Sequence, residues 1–130
     1  MGLVPWAAGI VDGEGCIGAW HSQGRCWQAW LQVGVIQKAP LVQLQQLFGG
    51  TLIPRPARGR SRASWMWMLR GHAARPALLA MLPWLIIKRE EALAYLEFTN
   101  IWRGTLGTRY TSTEREKLVR IAQHMRDLKH

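Results

Sequence analysis

Two carboxylates stand close together near the start of the chain, each followed by a glycine. They are Asp12 and Glu14 in the stretch "WAAGIVDGEGCIG", Trp6 to Gly18. Taken alone, Glu14 reads as an exposed acid in a glycine turn. The apolar run ahead of them is odd for an amphipathic helix, because it places Ala7, Ala8 and Gly9 where a core would want leucine. Other chemistries find little support. The histidines at 21, 72, 124 and 130 show no paired metal spacing, no Cys/His cluster suits zinc, and no GxxxxGK loop is present to cradle a nucleotide.

Charge carries the next inference. Seventeen Lys and Arg against eight acids leave +9, which favours a polyanionic partner, nucleic acid before membrane, because phosphate contacts release counterions. The alternative is a basic surface that only keeps the chain soluble. Four of the arginines, Arg55, Arg58, Arg60 and Arg62, fall in the Pro- and Gly-marked loop "PRPARGRSR"; taken alone, that run is equally a solvated loop.

The elements that must position these residues follow from periodicity. Pro5 suits a first helical turn, so a short helix runs to about Asp12 and is stopped by Gly13 and Gly15. A strand from Cys16 to about His21, a polar turn at Ser22-Gln23-Gly24-Arg25, and a strand from Trp27 to Gln37 come next. In the second strand Ala29, Leu31, Val33 and Val35 share one face, and Gln28, Trp30, Gln32 and Gly34 the other. One apolar and one polar face mark an antiparallel sheet covered on a single side. A helix from Pro40 carries Leu41, Leu44, Leu47 and Phe48 and ends at Gly49-Gly50; Thr51 to Ile53 is a brief strand, and "SWMWMLR", Ser64 to Arg70, a fourth. Trp and Met share that last strand, so alternation leaves its buried face open. Helices follow over Ala73 to Leu82 and from Lys88 to about Arg103, and a capping box of Thr113 with Glu116 opens a last helix of about 113–128. Its stripe is Leu118, Ile121 and Met125.

At 130 residues, 48% apolar and with eight Trp, the chain is expected to form a single domain, 1–130, with a core over about 3–103. No apolar run reaches the roughly 18 residues that span a bilayer, and no charged segment precedes the N-terminal apolar stretch. Cys16 is expected opposite Leu31 or Gln32 rather than Cys26. A disulfide is therefore improbable, and an intracellular, reducing setting is expected.

"AAGIVDGEGCI" resembles the motif that names the LAGLIDADG homing endonucleases, with Ala7 to Gly15 on its nine positions and Ala7 where the motif has Leu. "VIQK", Val35 to Lys38, and "LPWLIIKREEA", Leu82 to Ala92, resemble two further pieces of that family in order and spacing. The resemblance covers roughly residues 3 to 102. It implies an α+β fold of αββαββα order, with a four-stranded antiparallel saddle sheet and extra C-terminal helices.

In that family two copies of the motif helix pack together and each delivers its last acid to the cleavage site. One copy is present here, so the resemblance implies a homodimer, with Pro5, Ala8, Gly9, Asp12 and Gly13 at the interface, small residues allowing close helix approach. Glu14 is implied as metal ligand, with the Gly13 carbonyl as a second donor, for Mg²⁺ with Mn²⁺ as substitute and Ca²⁺ supporting binding only. Gln37 and Lys88 match the other catalytic positions. The basic residue that family members can carry soon after that Gln is missing, since Ala39, Pro40 and Leu41 follow. The polar sheet face becomes the reader of double-stranded DNA, through His21, Gln23 and Arg25 at the first hairpin tip, Gln28, Trp30 and Gln32 on the second strand, and Arg55, Arg58, Arg60, Arg62 and Arg70 beyond. Four loop arginines meeting phosphate in each subunit give a salt slope of roughly −7. The implied activity is metal-dependent, site-specific double-strand cleavage of a pseudo-palindromic site, with no nucleotide cofactor. The alternatives are a non-cleaving maturase or regulator of the same fold, and an unrelated basic nucleic-acid binder in which the motif is chance.

Overall fold

A computed structural model describes residues 2–22, 26–104 and 109–129, with only the backbone of residues 21, 22 and 26. The first helix, α1 (Leu3–Glu14), leads directly into β1 (Gly15–Ser22), which pairs with β2 (Cys26–Val35). Helix α2 (Ala39–Phe48) precedes β3 (Thr51–Arg55) and β4 (Ser64–Arg70). Three helices complete the described chain: α3 (Arg75–Met81), α4 (Arg89–Ile101) and α5 (Ser112–Asp127). The sheet is antiparallel throughout, in the order β1-β2-β4-β3. This is the αββαββα order with extra helical pieces that the sequence implied.

Alternation decides the two faces. Ile17, Ala19, Ala29, Leu31, Val33, Trp67 and Leu69 are buried, so the odd-numbered positions of β1, β2 and β4 form the core face. For β4 this settles what its sequence left open: Trp67 and Leu69 go in, while Met66, Met68 and Arg70 line the other side. The helices cover the odd face with Val11, Leu41, Leu44, Leu78, Met81, Tyr95 and Phe98, all fully buried. The expected pairing of Cys16 with Gln32 is present in the register, and Cys26 pairs with Ser22.

Several boundaries differ from expectation: α1 runs through Gly13 to Glu14, and β2 ends at Val35 rather than Gln37. The helix expected over Ala73 to Leu82 is split: Gly71–Ala74 is a 3-10 turn, α3 starts at Arg75 with Pro76 in its first turn, and Leu82–Trp84 is a second 3-10 turn. Pro76 lacks an N–H, and only a first turn tolerates that. The capping box of α5 is Thr111 with Glu114, two residues earlier than Thr113 with Glu116. Both pairs fit the pattern. The earlier one prevails because Glu114 is also held by Arg103 at 2.7 Å, whose guanidinium lies over the Tyr110 ring. The Arg103 hydrogen bond, followed by that from the Thr111 amide, draws the Glu114 carboxyl down to about 2. Finally, α5 buries Leu118, Ile121, Ala122 and Met125 within its own chain, against α4 and the edge strand β1. Lys129, just past its end, donates to the Ile17 carbonyl at 2.5 Å and pairs with the buried Glu91 at 2.9 Å. Among the described residues no helix is long and apolar enough to cross a membrane.

Candidate active site and nucleic-acid interface

Helix α1 ends where the sheet begins, which fixes the position of its last acid. The Gly15 amide closes the helix on the Val11 carbonyl. A side chain at Gly15 is excluded, because its Cβ would stand 2.7 Å from the Val11 oxygen. Glu14 is therefore the last helical residue, exposed at one end of the sheet.

Asp12 has a different task. Its two carboxylate oxygens accept the backbone N–H groups of Ile86 (2.8 Å) and Lys88 (3.0 Å). This ties the segment entering α4 to the end of α1. The Lys88 ammonium returns to the same place, donating to the Asp12 carbonyl at 2.8 Å. That carbonyl lies in the last turn of α1, where orphan acceptors and the negative end of the helix dipole favour a cation. Lys88 is thus anchored two residues along the chain from Glu14. Gln37 is exposed, two residues beyond the end of β2. The register pairs Gly15 with Val33, so Gln37 leaves the sheet at the same end as Glu14.

The arginine loop converges there too. β4 begins opposite that end of β2, with Val35 facing Trp65. The β3–β4 connection therefore lies at the Glu14 end of the sheet rather than at the opposite end. Arg55, Arg58, Arg60 and Arg62 are all exposed, and an isolated bridge between Arg58 and Ser61 shapes the loop. Lys38 adds a cation 4.5 Å over the Trp65 ring.

On the open sheet face Gln28 and Arg70 are exposed and Gln32 is half-buried. Trp30 does not project outward. Its indole lies flat on the neighbouring strand at Gly18, where an added Cβ would meet its ring at 2.7 Å. Trp20 shares that face, 45% exposed, with the Arg126 guanidinium 3.8 Å above its ring. The expectations for Gln23 and Arg25 lie outside the described residues, as does the side chain of His21.

The implied interface stripe needs one correction. Ala8 is fully buried in its own chain, about 100° round the helix from Gly9, so it belongs to the core. Asp12 has its carboxylate engaged within the chain, as above. Gly9 and Gly13 remain exposed, with Pro5 half-buried. A Cβ at Gly9 or Gly13 would meet nothing within 4 Å.

No protein-family model matches the sequence, and no curated protein matches it by sequence. Solved structures do match by shape. The homing endonuclease I-CvuI, in complex with its target, superposes with a TM-score of 0.78 at 23% identity, over 97% of this chain and 81% of that one. The archaeal intron-encoded homing endonuclease I-Vdi141I, complexed with DNA, gives 0.77 at 11% identity, over 98% and 84%. The LAGLIDADG homing endonuclease I-GzeII, with its DNA target, gives 0.74 at 14% identity, over 97% of this chain but 45% of that one. This chain has the LAGLIDADG homing-endonuclease fold.

Within the LAGLIDADG fold, two features escaped sequence reasoning. Ile86 and Ile87 are 83% and 72% exposed, on the segment that Asp12 fastens to α1; two β-branched residues before Lys88 were the available signal. Trp20 was the other, and its parity with Gly18 and Cys16 places it on the open face.

Proposed function

We propose that this protein is a homodimeric, site-specific double-strand DNA endonuclease of the LAGLIDADG family. The observation that carries the reading is the grouping at one end of the sheet: an exposed Glu14, a Lys88 anchored on the α1 terminus, Gln37 and the arginine loop. The solved relatives support DNA as the partner, since I-CvuI and I-Vdi141I were seen bound to it. Positive charge on the open face and loop would follow the phosphates, and Gln28, Gln32 and Arg70 would meet base edges in the major groove. Trp30 would serve as the floor of that reader, and we extend the proposal to His21, Gln23 and Arg25 on their sequence positions alone.

The donor set suits a hard divalent cation. Among the described residues no three His, Cys, Asp or Glu side chains gather into a metal site, so one chain offers only the Glu14 carboxylate and the Gly13 carbonyl. Those are oxygen donors of the kind Mg²⁺ takes together with phosphate oxygens; Mn²⁺ would substitute, and Ca²⁺ would support binding only. Bound there, the ion supplies Lewis acidity at the scissile phosphate. Gln37 would orient the attacking water, and Lys88 would stabilise charge developing on the phosphate.

Dimerisation rests on the exposed α1 face. A glycine inside a helix costs about 0.8–1 kcal/mol against alanine, yet among the described residues nothing occupies the space at Gly9 or Gly13. Close approach by a second helix would give those glycines a purpose, and Ile86 and Ile87 are exposed on the segment that Asp12 fastens to the end of α1. The test is selection from random duplexes in Ca²⁺, followed by addition of Mg²⁺. Staggered cutting at an enriched pseudo-palindrome supports the reading. Enrichment without cutting refutes the endonuclease and leaves a DNA-binding protein of the same fold. Glu14→Gln should keep DNA affinity and lose cleavage; retained cleavage removes Glu14 from the metal site.

A further inference from the structure

The open face of the sheet is less polar than a one-sided antiparallel sheet ordinarily shows. The register sets Gly34, Met66 and Ile53 in one row across β2, β4 and β3, and Gln32, Met68 and Thr51 in the next. Met66, Met68 and Ile53 are half-buried on the face opposite Trp67 and Leu69. Core packing does not account for them, since their parity points away from it. Gly34 adds a low point beside the thioether. A Cβ there would meet only the Trp65 carbonyl oxygen at 3.8 Å and the Met66 methyl at 3.9 Å, so alanine would fit and the chain does not itself require glycine.

The patch is flanked by positive charge. Arg70, paired with Trp30 in the adjacent row, donates from Nε to the Met68 sulfur at 3.0 Å. Arg55 stands opposite Ser64 on the other side, and the exposed Arg58, Arg60 and Arg62 follow. An apolar centre with cationic flanks fits a polyanion that also offers apolar groups. In the major groove the apolar group on a base edge is the thymine C5 methyl. The donors and acceptors of guanine, cytosine and adenine would lose water against a thioether and gain no partner. Methionine suits the role because its unbranched, polarisable side chain conforms to what it touches.

We propose that Met66, Met68 and Ile53 read thymine methyl groups, so that the recognised duplex carries T·A pairs beneath β3 and β4. The proposal rests on the DNA-binding reading above and deepens it. Its test compares an enriched duplex with the same duplex carrying deoxyuridine for thymine, which removes the methyl and keeps every hydrogen-bonding edge. Affinity should fall about fourfold for each contacted methyl, and the triple variant Met66→Ala, Met68→Ala, Ile53→Ala should bring the two duplexes to nearly equal affinity. Equal affinity of the unaltered protein for both duplexes, with sequence-specific binding intact, overturns methyl reading and leaves the DNA function standing. Absence of any sequence-specific binding overturns both.

Discussion

Replacing Gly9 with alanine separates what α1 does for its own chain from what it would do for a second copy in the proposed dimer. In the single chain the new Cβ meets nothing within 4 Å, and position 9 lies inside the helix Leu3–Glu14. Helix propensity then raises the stability of the folded chain by about 0.8–1 kcal/mol. That gain is common to monomer and dimer, so it cancels from the dissociation constant. At a two-fold interface the same residue enters from both sides, and each methyl forced into close packing costs about 1–3 kcal/mol. Two methyls at the lower figure make about 2 kcal/mol, which weakens the dimer roughly thirtyfold. Sedimentation over a concentration series gives the dissociation constant, and urea unfolding at dilution gives the monomer's stability. A stabilised chain with an unchanged dissociation constant would show that Gly9 faces solvent, and the helix-interface reasoning would fail. Gly9→Leu should abolish the dimer altogether.

Three further outcomes follow from the geometry. Asp12→Asn leaves one acceptor oxygen where two amides, Ile86 and Lys88, were bound; urea unfolding should show a loss of about 1–2 kcal/mol, and cleavage should fall more than DNA affinity. Gly71→Ala places a methyl 2.6 Å from the Trp102 ring at a φ of +56°, displacing an indole that donates to the Trp27 carbonyl, so unfolding should show a loss of at least about 2 kcal/mol. The Glu114 carboxyl is held at about 2 in the folded chain against about 4.3 when unfolded. Its contribution is complete above the unfolded value and disappears as pH falls through about 2; the pH-dependence of stability between 4.3 and 2 should flatten in Arg103→Ala, and an unchanged profile would refute the pairing.

How far the sequence could be read depended on whether the deciding contact was local. The faces of β2 were legible because Ala29, Leu31, Val33 and Val35 alternate strictly with Gln28, Trp30, Gln32 and Gly34, and burial follows that alternation. β4 was not, since Trp65, Met66, Trp67 and Met68 are all large and apolar; the cross-strand register with β2 makes the choice. The cap of α5 was ambiguous because "TSTERE" contains the pattern twice, and the deciding partner, Arg103, comes from the preceding segment.

The two motif acids illustrate the same limit at the site. Asp12 and Glu14 look alike in sequence, each beside a glycine, yet residues two apart on a helix point about 200° from each other. That angle sends Asp12 to the Ile86–Lys88 segment, more than seventy residues away along the chain, and leaves Glu14 exposed at the sheet end. The glycines differ in the same way. Gly15 is required by the Val11 carbonyl 2.7 Å from where its Cβ would stand, while Gly13 has open space around it. One acid and one glycine therefore build the chain's own end of α1. The other acid and the other glycine face outward, which is where a phosphate, a cation and a second helix would have to arrive.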